Sequence, residues 1–169
     1  MDRLWSPWRY GYVSKASPSD RCIFCAKLDD PNDEKNDEEN DEANLILHRG
    51  EHNFVLLNLY PYTTGHLMVV PYAHVANLED LAEETAAELM RLTQTSVRHL
   101  RAVYRPHGLN VGLNLGECAG AGVAGHLHLH VLPRWSGDAN FMTTIAETRV
   151  MPEDLGGTWR RLRTAFQGR

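Results

Sequence analysis

Apolar positions fall into short runs through the first half of the chain and into a longer helical rhythm after it. Residues 44–49, with Leu45, Ile46 and Leu47, and residues 53–59, with Phe54, Val55, Leu56 and Leu57, flank Gly50-Glu51-His52. Two such runs about a turn predict an antiparallel hairpin. A third strand is expected over residues 66–70, after the turn-rich stretch 60–65, and should stop at Pro71. Leu78, Leu81, Thr85, Leu89, Leu92, Ser96, Leu100 and Val103 then recur at spacings of three and four. They predict one long helix, capped by Asn77 with Asp80 behind it, ending before Pro106, with Glu83, Glu84, Glu88, Arg91 and Arg98 on wet faces. Residues 108–115 alternate as a fourth strand, and residues 126–132 form a fifth that Pro133 should terminate. A second helix is expected from Pro152.

These elements make an α+β domain: an antiparallel sheet of about five strands, one long helix and a C-terminal helix. With 169 residues, 43% of them hydrophobic, the chain suits a single domain over residues 1–169. Residues 29–43 are almost wholly acidic or amide and cannot bury enough apolar surface to offset ordering entropy, so a disordered surface loop is expected there. A formal charge of −5 gives no general attraction to long nucleic acid. No apolar run approaches the roughly 20 residues of a membrane span, and the N-terminus lacks the features of a secretory signal, so a cytoplasmic protein is expected. Cys118 is expected to be an unpaired thiol. Cys22 and Cys25 stand at the spacing of a metal-binding or redox pair, and two cysteines alone do not complete a metal site.

The fifth strand carries the chemistry. Alternation places His126, His128 and His130 on one face and Leu127, Leu129 and Val131 on the other. Three imidazoles are a poor packing surface, because each ring has nitrogens that need partners; as ligands, bases or nucleophiles they make sense. Before them, glycines at 116, 120, 122 and 125 allow backbone N–H groups to approach phosphate oxygens.

His126-Leu127-His128-Leu129-His130-Val131-Leu132-Pro133 resembles the signature of the histidine triad family of nucleotide hydrolases and transferases. The likeness extends through residues 58–71, the long helix and residues 114–125, in the family's order. Trp5-Ser6-Pro7-Trp8-Arg9 and residues 133–141 are most similar to bacterial members that phosphorolyse diadenosine tetraphosphate. The resemblance implies a histidine triad-like fold and usually a two-fold homodimer. It implies His128 as the nucleophile that takes up a nucleotidyl group, and His130 as a catalytic residue contacting the α-phosphate. By the same match Asn58 meets the ribose hydroxyls, Asn114 a phosphate, and Gly122 belongs to the nucleotide-binding loop. That loop lacks the Gln common in the family's hydrolytic branches and is one residue longer.

In the family's zinc-binding members the ligands match Cys22, Cys25, His74 and His126. This would be a closed Cys₂His₂ set whose zinc has a structural role. The implied reaction is diadenosine tetraphosphate plus inorganic phosphate giving ADP and ATP. Two rivals share the pocket: a hydrolase of dinucleoside polyphosphates or phosphoramidates with water as acceptor, and a nucleotide-binding module without turnover. His66 is also matched in the family and is read as structural. His48, His52, His99 and His107 are read as surface or packing residues.

Overall fold

The computed structural model describes residues 21–28, 37–145 and 150–168. In chain order the elements are α1 (Ile23–Ala26), α2 (Asp37–Asn44), β1 (Ile46–Arg49), β2 (Asn53–Leu57) and β3 (Leu67–Pro71), followed by α3 (Glu83–Tyr104), β4 (Gly108–Leu113), β5 (Leu129–Arg134), α4 (Phe141–Thr144) and α5 (Leu155–Gln167). The five strands form one antiparallel sheet in the order β1-β2-β3-β5-β4, the α+β architecture expected. Trp5 to Arg9 and residues 29–36 lie outside the described residues.

Alternation divides the sheet between two cores. Leu47, Val55, Leu57, Leu67, Val69, Leu129 and Val131 face Leu89, Leu92 and Leu100 of α3 and Trp159 and Leu162 of α5. The other face gathers Ile46, Phe54, Leu56, Met68 and Val70 around Phe24 of α1. Strands β2 and β3 are thus buried on both sides, which is why they read as continuous apolar runs.

Four expectations need correction. First, residues 37–43 are not a disordered loop but most of helix α2. Asp41, with a side chain only 3% exposed, accepts from Arg49 Nε at 2.8 Å and pairs with Arg163 Nη2 at 3.2 Å. Lys27 Nζ also donates to the Asn44 carbonyl at the helix end. Second, α3 starts at Glu83, with Ala82 rather than Asn77 before it. Asn77 opens a separate 3₁₀ turn, Leu78–Asp80, without a side-chain cap bond. Leu81 then leaves in extended conformation and packs against the core. Third, Glu88 is buried: its carboxylate accepts from the amides of Glu51 and His52 and from Asn53 Nδ2. The hairpin turn offers donors that need an anion, so a charge inside the core is satisfied.

Fourth, β5 begins at Leu129, and Pro133 lies inside it, paired with Leu109. The Pro133 carbonyl accepts from Thr63 Oγ1, on the side away from β4. Its nitrogen faces the same way, beyond the last β3 pair at Val131, so no ladder donor is missing.

Candidate functional site

β5 lies between β3 and β4, and its register sets the site. Met68 pairs with His130, and Gly112 of β4 pairs with His130 from the other side. The histidine alternation starts before the ladder does, since His126 and His128 precede Leu129. Leu127 N nevertheless donates to the Val75 carbonyl at 2.7 Å, which keeps that approach extended. Residues His66, Met68 and Val70 share the face of the triad, because the opposite parity, Leu67 and Val69, belongs to the helix-side core.

All three triad rings are buried, yet they have different partners. The His128 Nδ1–H donates to the His126 carbonyl at 2.8 Å. A carbonyl only accepts, so the proton is assigned to Nδ1 and Nε2 keeps a lone pair. Burial pushes the His128 pKa down against the opposing effect of that bond, which keeps the ring neutral. A neutral imidazole that keeps a lone pair on Nε2 is a competent nucleophile toward phosphorus. His130 lies with its ring centroid 4.9 Å from that of His128. Its Nδ1 meets His66 Nε2 at 2.8 Å, and Tyr62 stacks over it at 6.2 Å.

His66 was the residue whose contact sequence reasoning missed. It is 1% exposed and sits between the Tyr62 amide and His130. Burial, then the neighbouring His130 and His128, lower its pKa from 6.5 to about 3. The available signal was parity: His66 stands two residues before Met68 on the triad face. Phe24 was missed as well. Its ring packs against His126 at 5.3 Å and His128 at 5.2 Å, so the segment between the two cysteines reaches under the triad.

The other expected residues are placed as follows. Asn58 is half-buried; its Oδ1 accepts from the Tyr60 amide and its Nδ2 lies 3.4 Å from His66 Nδ1. Asn114 is half-buried one residue past the Leu113–Leu129 pair, at the level of His128. Gly122 is exposed in the loop before the triad, and the positive φ angles of that loop fall at Gly116 (82°) and Gly120 (94°). Beyond Tyr62 a cavity of about 480 Å³ opens along Tyr104, Trp135, Asn140 and Arg161, and no triad ring lines it.

Cys22, Cys25, His74 and His126 converge, with ligand atoms all within 4.8 Å of one another. His126 Nε2–H donates to the Pro71 carbonyl at 2.9 Å, so its Nδ1 lone pair is left to face Cys22 Sγ at 3.3 Å, Cys25 Sγ at 3.6 Å and His74 Nδ1 at 3.2 Å. Nitrogens at about 2.0–2.1 Å and sulfurs at about 2.3 Å around a tetrahedral ion stand roughly 3.3–3.7 Å apart. The separations from His126 Nδ1 to the other three ligand atoms match that spacing, and the whole set lies within 4.8 Å, so the four side chains are grouped to hold a metal ion.

Residues 38–137 match the HIT domain family model. The chain is 46% identical, over 98% of its length and 85% of the relative's, to an AP-4-A phosphorylase of Mycobacterium tuberculosis. Among solved structures it is similar to a zinc-bound histidine triad family protein from Mycobacterium smegmatis. That match has 30% identity and a TM-score of 0.65, covering 88% of this chain and 95% of that one. A Bis(5'-adenosyl)-triphosphatase of Saccharomyces cerevisiae is 31% identical over 53% of the chain and 44% of the relative. The chain belongs to the histidine triad, or HIT domain, family.

Proposed function

We propose that this histidine triad protein is a dinucleoside polyphosphate phosphorylase, converting diadenosine tetraphosphate and inorganic phosphate to ADP and ATP. The observation that carries the reading is the His128 ring: a hydrogen bond from Nδ1–H to the His126 carbonyl leaves a neutral lone pair on Nε2. That nitrogen attacks the α-phosphorus, the nucleotidyl group rests on His128, and phosphate then takes it. His130 contacts the α-phosphate, Asn114 lies at the level of the reacting centre, Asn58 meets the ribose, and the loop carrying Gly122 lies along the nucleotide. The 46% identity to a protein named AP-4-A phosphorylase supports phosphate as the acceptor.

Hydrolysis is the second reading, favoured by the yeast relative's name. Incubating the protein with diadenosine tetraphosphate, with and without inorganic phosphate, separates the two. ADP plus ATP formed only with phosphate supports phosphorolysis; AMP released without phosphate overturns it. His128→Ala should lower turnover by at least about a thousandfold, and full activity in that variant would remove the covalent step.

We assign zinc to the Cys22, Cys25, His74 and His126 cluster, in a structural role that joins α1 to the approach of β5. The smegmatis relative with bound zinc supports that choice. The compartment we assign is the cytoplasm, where such thiolates stay reduced. Among the described residues no helix is long and apolar enough to cross a membrane. A homodimer is the proposed assembly; β4 ends the sheet, and light scattering on the purified chain tests it.

A further inference from the structure

The short segment Cys22-Ile23-Phe24-Cys25 reaches two places at once. Its sulfurs lie against His126 Nδ1, Cys22 Sγ at 3.3 Å and Cys25 Sγ at 3.6 Å, and Cys25 Sγ is 3.4 Å from His74 Nδ1. Between the cysteines, Phe24 is 2% exposed and belongs to the core with Phe54, Leu56 and Met68. Its ring stands 5.3 Å from His126 and 5.2 Å from His128. Cys22 and Cys25 are half-buried and His74 is exposed, so the cluster borders solvent. A structural metal site requires its four ligands; it does not require the residue between two of them to pack against the ring of His128.

Cys22 stands just before the single turn of α1 and Cys25 within it, and the Ala26 amide closes that turn on the Cys22 carbonyl at 2.9 Å. Residues three apart in such a turn have Cβ atoms about 5–6 Å apart, whereas a disulfide holds them at about 3.5–4.5 Å. Joining the sulfurs therefore draws the ends of the turn together, and Phe24 lies inside it. We propose, resting on the nucleotidyl-transfer reading above, that Cys22 and Cys25 form a redox switch: a hydroperoxide closes the pair to a disulfide, which withdraws both sulfurs from the metal and shifts Phe24 from beneath His128, and a thiol reductant reopens it.

The chemistry balances with hydrogen peroxide as the oxidant. One thiolate attacks a peroxide oxygen, the O–O bond breaks, hydroxide leaves, and the cysteine becomes a sulfenic acid. The second thiolate attacks that sulfur, the S–O bond breaks, and a second hydroxide leaves. The two sulfurs lose two electrons, and the peroxide takes up both. A dithiol returns the electrons through a mixed disulfide. In a reducing compartment the resting state is the open pair. Closure disturbs two supports of His128 together, the Phe24 ring packed against it and the residue whose carbonyl holds its Nδ1 proton at 2.8 Å. Cys22, Phe24 and Cys25 act by position, and none of them touches the reacting atoms.

The zinc-loaded full chain carrying Cys118→Ser, in which thiol titration reads the pair alone, tests the switch. Hydrogen peroxide should remove both thiols and release the zinc together, and peptide mapping should find Cys22 joined to Cys25. Turnover of diadenosine tetraphosphate should fall roughly 10- to 100-fold and return with dithiothreitol and zinc. Thiols that survive with zinc still bound overturn the switch, and so does a mapped Cys22–Cys25 disulfide with unchanged turnover. The oxidised protein should also be slower than reduced protein stripped of metal by a chelator; equal rates overturn the part assigned to Phe24. Nitrogen-15 spectra of the histidine-labelled chain need no substrate: the His128 signals should move on oxidation and return on reduction, and unmoved signals overturn the coupling.

Phe24→Leu should still form the disulfide and release zinc, with a smaller drop in turnover than the parent shows. Cys22→Ser cannot close, so its turnover should not respond to peroxide; a response equal to the parent's overturns the assignment to this pair. If that variant does not fold, the mapping, thiol counts and spectra on the intact pair still decide. Failure of every nucleotide to turn over in the reduced, zinc-loaded protein would sink the transfer reading alone, since thiols, zinc and spectra test the switch separately.

Discussion

At the scale of single residues, protein donors and acceptors give the histidines fixed and different states. Carbonyls hold a proton on His128 Nδ1 and His126 Nε2, and an amide removes one from His66 Nδ1. The buried, neutral state of His66 has a consequence for stability. Its folded pKa is about 3 against 6.5 for the free ring, so the unfolded chain binds its proton first as the pH falls. The contribution of neutral His66 is complete above 6.5 and is lost progressively as the pH falls toward 3. Thermal melts from pH 7.5 down to pH 4 should show a falling midpoint, with a shallower fall in His66→Gln; equal slopes would remove His66 as a contributor. The sequence made the triad legible because three histidines at period two have no packing explanation. It did not reveal the contact of His66 with His130, because a lone histidine before a strand looks like any core residue until β3 is placed beside β5.

At the scale of elements, apolar runs and helical periodicity located the strands and the long helix, and the errors came from polar groups with distant partners. The stretch 37–44 has the composition of a solvated loop, yet it is a helix because Asp41 meets Arg49 of β1 and Arg163 of α5. Local composition cannot show a partner more than a hundred residues away. Glu88 is a parallel case, a carboxylate whose donors lie in the turn between β1 and β2. Removing Asp41 would leave Arg163, 17% exposed in its side chain, without its carboxylate. Breaking a buried pair from one side costs about 3–5 kcal/mol. Asp41→Ala should therefore lower the urea midpoint by a corresponding amount and expose α2 to proteolysis, while an exposed neighbour, Glu39→Ala, should leave both near wild type. An Asp41→Ala protein as stable as the parent would show that α2 is held by something other than this pair.

For the molecule as a whole, the cysteine pair does more than its spacing suggested. The same short segment that offers Cys22 and Cys25 to a metal also carries Phe24 against the rings of His126 and His128. His126 joins the Cys/His cluster through Nδ1 and holds His128, the proposed nucleophile, through its carbonyl. An ion in that cluster would fasten α1, the end of β3 and the approach to β5 at one point, and it would touch none of the reacting atoms. A ligand bound only by the folded state at a hundred times its dissociation constant contributes about 2.7 kcal/mol. In a domain of this size that corresponds to roughly 5–11 °C of melting temperature. Chelation should thus lower the melting temperature by about that much. Turnover well below the new midpoint should drop moderately, as Phe24 loosens beneath His128. Cobalt(II) should restore stability and rate as well as zinc does, because the ion supplies position and no chemistry. A kcat that changed with the identity of the metal, at equal melting temperature, would instead place the ion in the reaction.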